Sequence, residues 1–144
     1  MTAKEYLGQA YRLDQRIDSK LLQVESLDSM AKKATATLSD MPGSATRNIH
    51  SREDIIVKII DLKHEVNRDI DYLVDLKTDI TRKIRAVDNL EYQTLLELRY
   101  LNYKTWEQIA VEMGYTIHHL YKMHNKALAC VRLENCVKLP EEDT

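Results

Sequence analysis

Phenylalanine is absent from this sequence, and in 144 residues glycine occurs three times and proline twice. Turn punctuation that sparse excludes an all-β fold, and apolar residues recurring at three- and four-residue steps give the helical period instead. An all-α protein is therefore expected. The two cysteines, Cys130 and Cys136, have neither a CxxC spacing nor a matching histidine pattern, so reduced thiols are expected and not a disulfide framework or a metal site. No apolar run is long enough to span a bilayer and no basic-then-apolar leader opens the sequence, which predicts a soluble, cytoplasmic protein with no membrane partner. Positive charge is not in surplus either. The formal net charge is -2, so an argument for a nucleic-acid partner has to rest on where the charges lie.

What is present is a chain of 44% hydrophobic residues, enough for one modest core or for a small C-terminal domain joined to an elongated helical part. Tyr6, Ala10, Leu13, Ile17, Leu21, Val24, Leu27, Ala31 and Ala34 mark one long amphipathic helix. It fades at "ATATLSDMPGSATRN", where Thr and Ser compete for backbone hydrogen bonds and Pro42-Gly43 stops a helix, so a loop is expected at about residues 38–50. "SRED" from Ser51 reads as a cap, in which the Ser51 hydroxyl accepts the Asp54 amide and the acidic residues favour the positive helix end. A second long helix follows, with Ile55, Ile59, Leu62, Val66, Ile70, Leu73, Leu76, Ile80, Ile84 and Val87 as its stripe. The steps average about 3.6, close to a straight helix, so any supercoil should be slight.

Neither helix can bury its stripe alone. The simplest arrangement is an antiparallel, coiled-coil-like hairpin over residues 1–88. Ile55/Ile56 and Ile59/Ile60 widen the second stripe, which predicts a further contact surface and a homodimer formed through these helices. The charges of the second helix nearly cancel, Lys77, Arg82, Lys83 and Arg85 being interleaved with Asp71, Asp75 and Asp79. They read as a solvated face with i,i+4 pairs.

Residues 89–139 read as a separate C-terminal domain, and residues 140–144 as an acidic tail. Asp88-Asn89 breaks the helical pattern, and "NLEYQTLLELRYL" gives a short supporting helix with Leu90, Leu95, Leu98 and Leu101 on its apolar side. Thr105 and Gln108 form a capping box for the next helix. Ile109, Ala110, Met113, Gly114, Tyr115, Leu120 and Met123 then fall at the offsets that two short helices crossing steeply require. Ala110 is small where the following helix crosses, and Gly114 supplies a left-handed turn at no steric cost. Thr116 caps a final helix expected over residues 117–134. This is the pattern of a helix-turn-helix.

On that final helix Leu120, Met123, His124, Ala127 and Val131 share one face. The opposite face carries His118, Tyr121, Lys122 and Asn125, flanked by His119 and Lys126, and these outer residues are the ones placed to enter a major groove. Asn pairs bidentately with adenine, Lys donates to guanine, and His or Tyr contact base edges or phosphates. Thr105, Thr116 and Lys126 are expected at the DNA backbone. From Arg99 to Leu133 there are five cations and two carboxylates, a surplus of three concentrated around the motif. So few cations imply few phosphate contacts and weak, salt-sensitive binding per monomer, which a dimer would offset.

Other chemistry finds no support. His118 and His119 are adjacent on a helix and cannot face one metal together. His124 reads as a satisfied core histidine, His64 and His50 as surface residues, and Trp106 as an anchor between helices. There is no Gly-rich phosphate loop and no nucleophile-base signature, so no cofactor, no small-molecule substrate and no enzyme activity are expected.

"LLELRYL" followed by "KTWEQIAVEMGYT" and "KMHNKALACVR" resembles region 4 of the bacterial RNA polymerase sigma factors over about residues 90–133. The whole chain, with its "LSDMPGS" stretch, is similar to a family of small phage and prophage transcription regulators of Gram-positive bacteria. The resemblance implies that His118, His119, Tyr121, Lys122 and Asn125 occupy promoter-reading positions, and it implies contact with RNA polymerase. The chain departs from the sigma pattern at His118, His119 and Tyr121, where Arg, Glu or Gln are usual. It departs again over residues 1–88, where nothing resembles the sigma domain that melts the start site. A sequence-specific, dimeric regulator binding double-stranded DNA is therefore the leading expectation. A phage DNA-packaging recognition subunit and a polymerase-binding adaptor are the alternatives.

Overall fold

In the computed structural model residues 1–37 and 45–137 are described, with side chains over 1–34 and 52–137. Among them the regular structure is helical throughout: α1 (Ala3–Thr37), α2 (Ala45–Arg85), α3 (Leu90–Leu96), a π-helical stretch Glu97–Leu101, α4 (Trp106–Met113) and α5 (Ile117–Ala129). The all-α expectation holds. No helix among the described residues is long and apolar enough to cross a membrane.

α1 starts three residues before its first apolar marker because Thr2 and Glu5 cap it reciprocally. The Glu5 amide donates to the Thr2 hydroxyl at 3.2 Å, and the Thr2 amide donates to the Glu5 carboxylate at 3.1 Å. The expected loop is corrected in part. Residues 38–44, with Pro42 and Gly43, lie outside the described residues, but 45–50 belong to α2, so Ser51 is inside the helix and does not cap it. Thr, Asn and Ser cost only ~0.5 kcal/mol each inside a helix, and no proline or glycine follows Gly43 until Gly114, so nothing local halts α2 at Ser51. The expected acidic tail also lies outside the described residues.

The chain forms two compact units, one of Met1–Asp14 with Tyr72–Thr144 and the other Gln15–Asp71. The first holds two cores. In one, Tyr6, Leu7 and Ala10 of α1 meet Leu76, Ile80 and Ile84 of α2, Leu96, Tyr100 and Ala127. In the other, Leu95, Ile109, Leu120 and Met123 pack with Trp106, Ala110, Met113 and Tyr115 around them. Each side chain the size of leucine buried there contributes about 1.5–3 kcal/mol. α3 and its π-helical continuation serve both cores, Leu95 facing one and Leu96 and Tyr100 the other. Leu90 departs from the expected apolar side and is 76% exposed. It stands at the tip of α3, directly after the Asn89 cap, where no helix among the described residues covers it.

The expected solvated face of α2 also needs correction at its C-terminal end, where Asp79 and Lys83 are buried. The Tyr6 hydroxyl donates to the Asp79 carboxylate and accepts the Val137 amide at 3.1 Å. Lys83 Nζ donates to Asp79 at 2.9 Å and to the Glu134 carbonyl at 2.9 Å. Arg82 pairs with Asp79 from the solvent side. Burial alone would raise the Asp79 pKa, but hydrogen bonds from Tyr6, Lys83 and Arg82 outweigh it and hold the carboxyl below its ordinary range. Burial, and then the bond to Asp79, push the Tyr6 hydroxyl well above its ordinary value.

In the second unit Lys20 of α1 lies 2.6 Å from Asp69 and 3.5 Å from Glu65 of α2. Ile17, Ile55 and Val66 are buried there, while Leu21, Leu22, Met30, Ile56, Val57, Ile60 and Ile70 are exposed.

Candidate nucleic-acid interface

The expected capping box at Thr105 is present. The Gln108 amide donates to the Thr105 hydroxyl at 3.2 Å and the Thr105 amide donates to the Gln108 side chain at 3.0 Å. α4 ends at Gly114, which takes the left-handed conformation at φ 71 and ψ 30. α5 begins after Thr116, whose hydroxyl accepts the His119 amide at 3.1 Å. The three local signals of the sequence therefore stand where the residues put them. Ile109 and Leu120 are fully buried, Met123 nearly so, and Ala110, Met113 and Tyr115 close the same core from its edge.

α5 is two-faced. Leu120, Met123, His124 and Ala127 are buried, and His118, His119, Tyr121, Lys122, Asn125 and Lys126 are exposed. His124 is the satisfied core histidine expected from its position: its Nε2 lies 2.6 Å from the Tyr100 hydroxyl, with the rings stacked at 5.7 Å. Burial, helped by the positive charges of Lys4 and Arg99, lowers its pKa to about 4, so it is neutral at physiological pH. Burial raises the Tyr100 hydroxyl to about 12.

Two of the expected base readers are braced by aromatic neighbours. Trp106 meets Tyr121 edge-to-face at 5.1 Å and His124 at 4.8 Å, so it anchors α4 on α5 as expected. Tyr115 lies 4.8 Å from the His119 ring and its hydroxyl donates to Glu91 at 2.7 Å. Such packing restricts the rotamers of Tyr121 and His119 before any ligand arrives.

Among the expected backbone contacts, Thr105 and Thr116 are the exposed caps of α4 and α5. Lys126 stands ten residues beyond Thr116, roughly 15 Å along the helix axis. α5 itself is shorter than expected and ends at Ala129, not at residue 134. The Cys130 amide bonds back to the Ala127 and Leu128 carbonyls. The chain then turns so that Val131, Leu133 and Cys136 pack on the first core. Asn135 takes a left-handed φ of 56, and the Lys83 and Tyr6 bonds hold Glu134 and Val137. Contacts formed with distant residues thus override the helical continuation.

One functional candidate has no local signal in the sequence. Arg99 places its guanidinium 4.8 Å over the Trp106 ring and donates to the Lys104 carbonyl at 3.0 Å, at the entry to α4. Lys104, one of the five cations counted around the motif, pairs with Glu112 of α4.

Residues 34–132 match the model of a family described as a protein of unknown function, DUF1492. The chain belongs to that family. The matched stretch takes in α2 to α5 whole, so the DUF1492 region contains both cores' C-terminal helices but not the α1 residues Tyr6, Leu7 and Ala10 that complete the first core. No curated protein matches the chain. No solved structure matches it either.

Proposed function

We propose that this DUF1492 protein is a sequence-specific DNA-binding transcription regulator of phage or prophage type, acting in the cytoplasm. In this reading α4, the Gly114 turn and α5 form a helix-turn-helix, and α5 enters the major groove of double-stranded DNA. One observation carries it. α5 buries Leu120, Met123, His124 and Ala127 and leaves His118, His119, Tyr121, Lys122 and Asn125 exposed on its other side, next to an N-capped α4. That is the arrangement a recognition helix needs, with its base-reading groups outward and its back fixed to a supporting helix.

Lys122 and Asn125 are the best donors for base edges, Lys to guanine and Asn to adenine. His118, His119 and Tyr121 contact neighbouring bases or phosphates, and Thr105, Thr116 and Lys126 contact the backbone. The long N-terminal helices, as an antiparallel hairpin, bring two such heads together in a homodimer. Contact with RNA polymerase rests on the resemblance to sigma region 4.

A gel-shift titration of the full chain against promoter regions neighbouring its gene, with a scrambled duplex beside them, tests the reading. A Lys122→Ala, Asn125→Ala double variant is expected to lose the preference for the specific duplex. Undiminished preference in that variant removes the assignment of α5. Ring-sized oligomers in light scattering would favour a DNA-packaging subunit, and polymerase capture without salt-dependent DNA binding would favour an adaptor.

A further inference from the structure

We infer that α1 also takes part in the contact with DNA, with Arg12 and Arg99 holding a backbone phosphate of the duplex in a recess beside the start of α4. The inference rests on the DNA-binding reading for its ligand. It goes beyond that reading in placing a contact on a helix outside the DUF1492-matched residues and outside the helix-turn-helix.

The recess is about 290 Å³ and is lined by Gly8, Tyr11 and Arg12 of α1 together with Arg99, Tyr103 and Thr105. That is about ten water volumes, enough for a phosphodiester group and the atoms that adjoin it. Among the described residues two guanidinium groups line it and no carboxylate does. Asp14, the acidic group felt by Tyr103, is not part of the lining.

A larger recess at the ends of α2 and α5 is lined by charges of both signs. There Arg82, Lys83 and Arg132 stand with Asp88 and Glu134, and Lys83 and Arg82 are already bound to Asp79. Its positive charge is compensated within the protein. The charge of the smaller recess is not compensated by its own lining, and it suits an anion.

Each wall is arranged for that use. Arg99 is fixed by the Trp106 ring and the Lys104 carbonyl. Arg12 lies back along α1, its Nη2 3.7 Å from the place a Cβ on Gly8 would occupy, so the guanidinium rests over Gly8 at the edge of the recess. Tyr103 holds a left-handed φ of 57, which L side chains rarely adopt, and this sets its ring edge-to-face with Tyr11 at 5.3 Å. Lys77 Nζ sits 4.9 Å from the Tyr103 ring and adds positive potential nearby. Thr105 is the cap of α4, and in a helix-turn-helix the first helix of the motif meets the DNA backbone. A phosphate arriving at Thr105 therefore meets Arg12 and Arg99.

The test is fluorescence anisotropy of the full chain with specific and scrambled duplexes across roughly 50 to 200 mM salt. Arg12 is exposed, so Arg12→Ala should keep the fold, and circular dichroism checks that it does. The expected result is several-fold weaker binding to both duplexes by Arg12→Ala, with the slope of log affinity against log salt shallower by about 1. Arg12→Lys should restore most of the slope. A wild-type slope in Arg12→Ala overturns the contact while leaving the DNA-binding reading in place. If, in addition, inorganic phosphate binds the wild type in calorimetry and not Arg12→Ala, the recess takes a free anion and the backbone assignment is overturned. A shallower slope in Arg12→Ala, with sequence preference intact in the Lys122→Ala, Asn125→Ala variant, supports the recess and overturns the α5 assignment. No duplex binding by the wild type at low salt overturns both.

Discussion

The Tyr100 hydroxyl and His124 Nε2 lie 2.6 Å apart, and His124 is only 5% exposed, so the imidazole is held neutral between Tyr100 and Trp106. Its pKa falls from 6.5 to about 4 on folding, burial being the main cause. A depressed histidine pKa means that the unfolded chain binds the extra proton first as pH falls. The stabilisation is complete above pH 6.5 and is lost progressively as pH drops toward 4. Its size is about 3 kcal/mol at most. Urea unfolding at a series of pH values should show stability climbing between those limits, and His124→Gln should flatten that climb. A variant with the wild-type profile would remove His124 as its source.

Asp79 and Lys83 are a buried pair whose value lies in being complete. Asp79→Ala would leave the Lys83 ammonium, 7% exposed, with the Glu134 carbonyl as its one hydrogen-bond acceptor among the described residues, and would leave the Tyr6 hydroxyl proton without its acceptor. The expected cost is about 3–5 kcal/mol. Replacing both residues, as Asp79→Leu with Lys83→Met, should cost less than the two single changes added together, because no charge is then stranded. Equilibrium unfolding of the four proteins measures the coupling, and simple additivity would show that the pair does not act as one. Arg82→Ala should cost under about 1 kcal/mol, since its side chain is 70% exposed.

Gly114 separates strain from crowding. A Cβ there would meet nothing within 4 Å among the described residues, yet φ is 71. Gly114→Ala should therefore cost about 1 kcal/mol from backbone conformation alone, and Gly114→Asn less, because Asn tolerates the left-handed region. Thermal melts of the two variants check the order. Equal losses for Ala and Asn would point to a cause other than φ.

How far the sequence could be read follows from the range of each signal. Thr105 with Gln108, Gly114 and Thr116 act through their own neighbours, and each appears where the spacing put it. Ile109, Leu120, Met123 and His124 are likewise buried as the helical period implied. The end of α5 at Ala129 was not legible, because it is set by Lys83 and Tyr6 reaching Glu134 and Val137 from far along the chain. The burial of Asp79 was hidden for the same reason: i,i+4 charges look alike on a wet face and beneath Tyr6. The start of α2 at Ala45 was not legible either, since "SRED" offered a cap at Ser51, further along the chain. Nothing in the spacing of Arg12 and Arg99 places them at one recess.

The Gln15–Asp71 unit exposes large apolar residues on both of its helices. Ile56, Val57 and Ile60 are 39%, 55% and 49% exposed, and Ile60 lies four residues after Ile56 and three after Val57 on α2. Leu21 and Leu22 of α1 are also exposed, at 45% and 64%. Surface this apolar is expected where another chain covers it. Val57→Glu with Ile60→Glu changes positions already open to water, so the monomer fold should lose little, within about 0.5 kcal/mol per site. Those charges would oppose burial against a second copy. Sedimentation should give a dimer for the wild type and a monomer of unchanged helicity for the variant. The specific duplex should then bind at least about 100-fold more weakly, since two linked reading heads raise effective concentration by that order. A wild-type monomer at micromolar concentration, or a variant that remains dimeric, would show that these helices are not where two heads are joined.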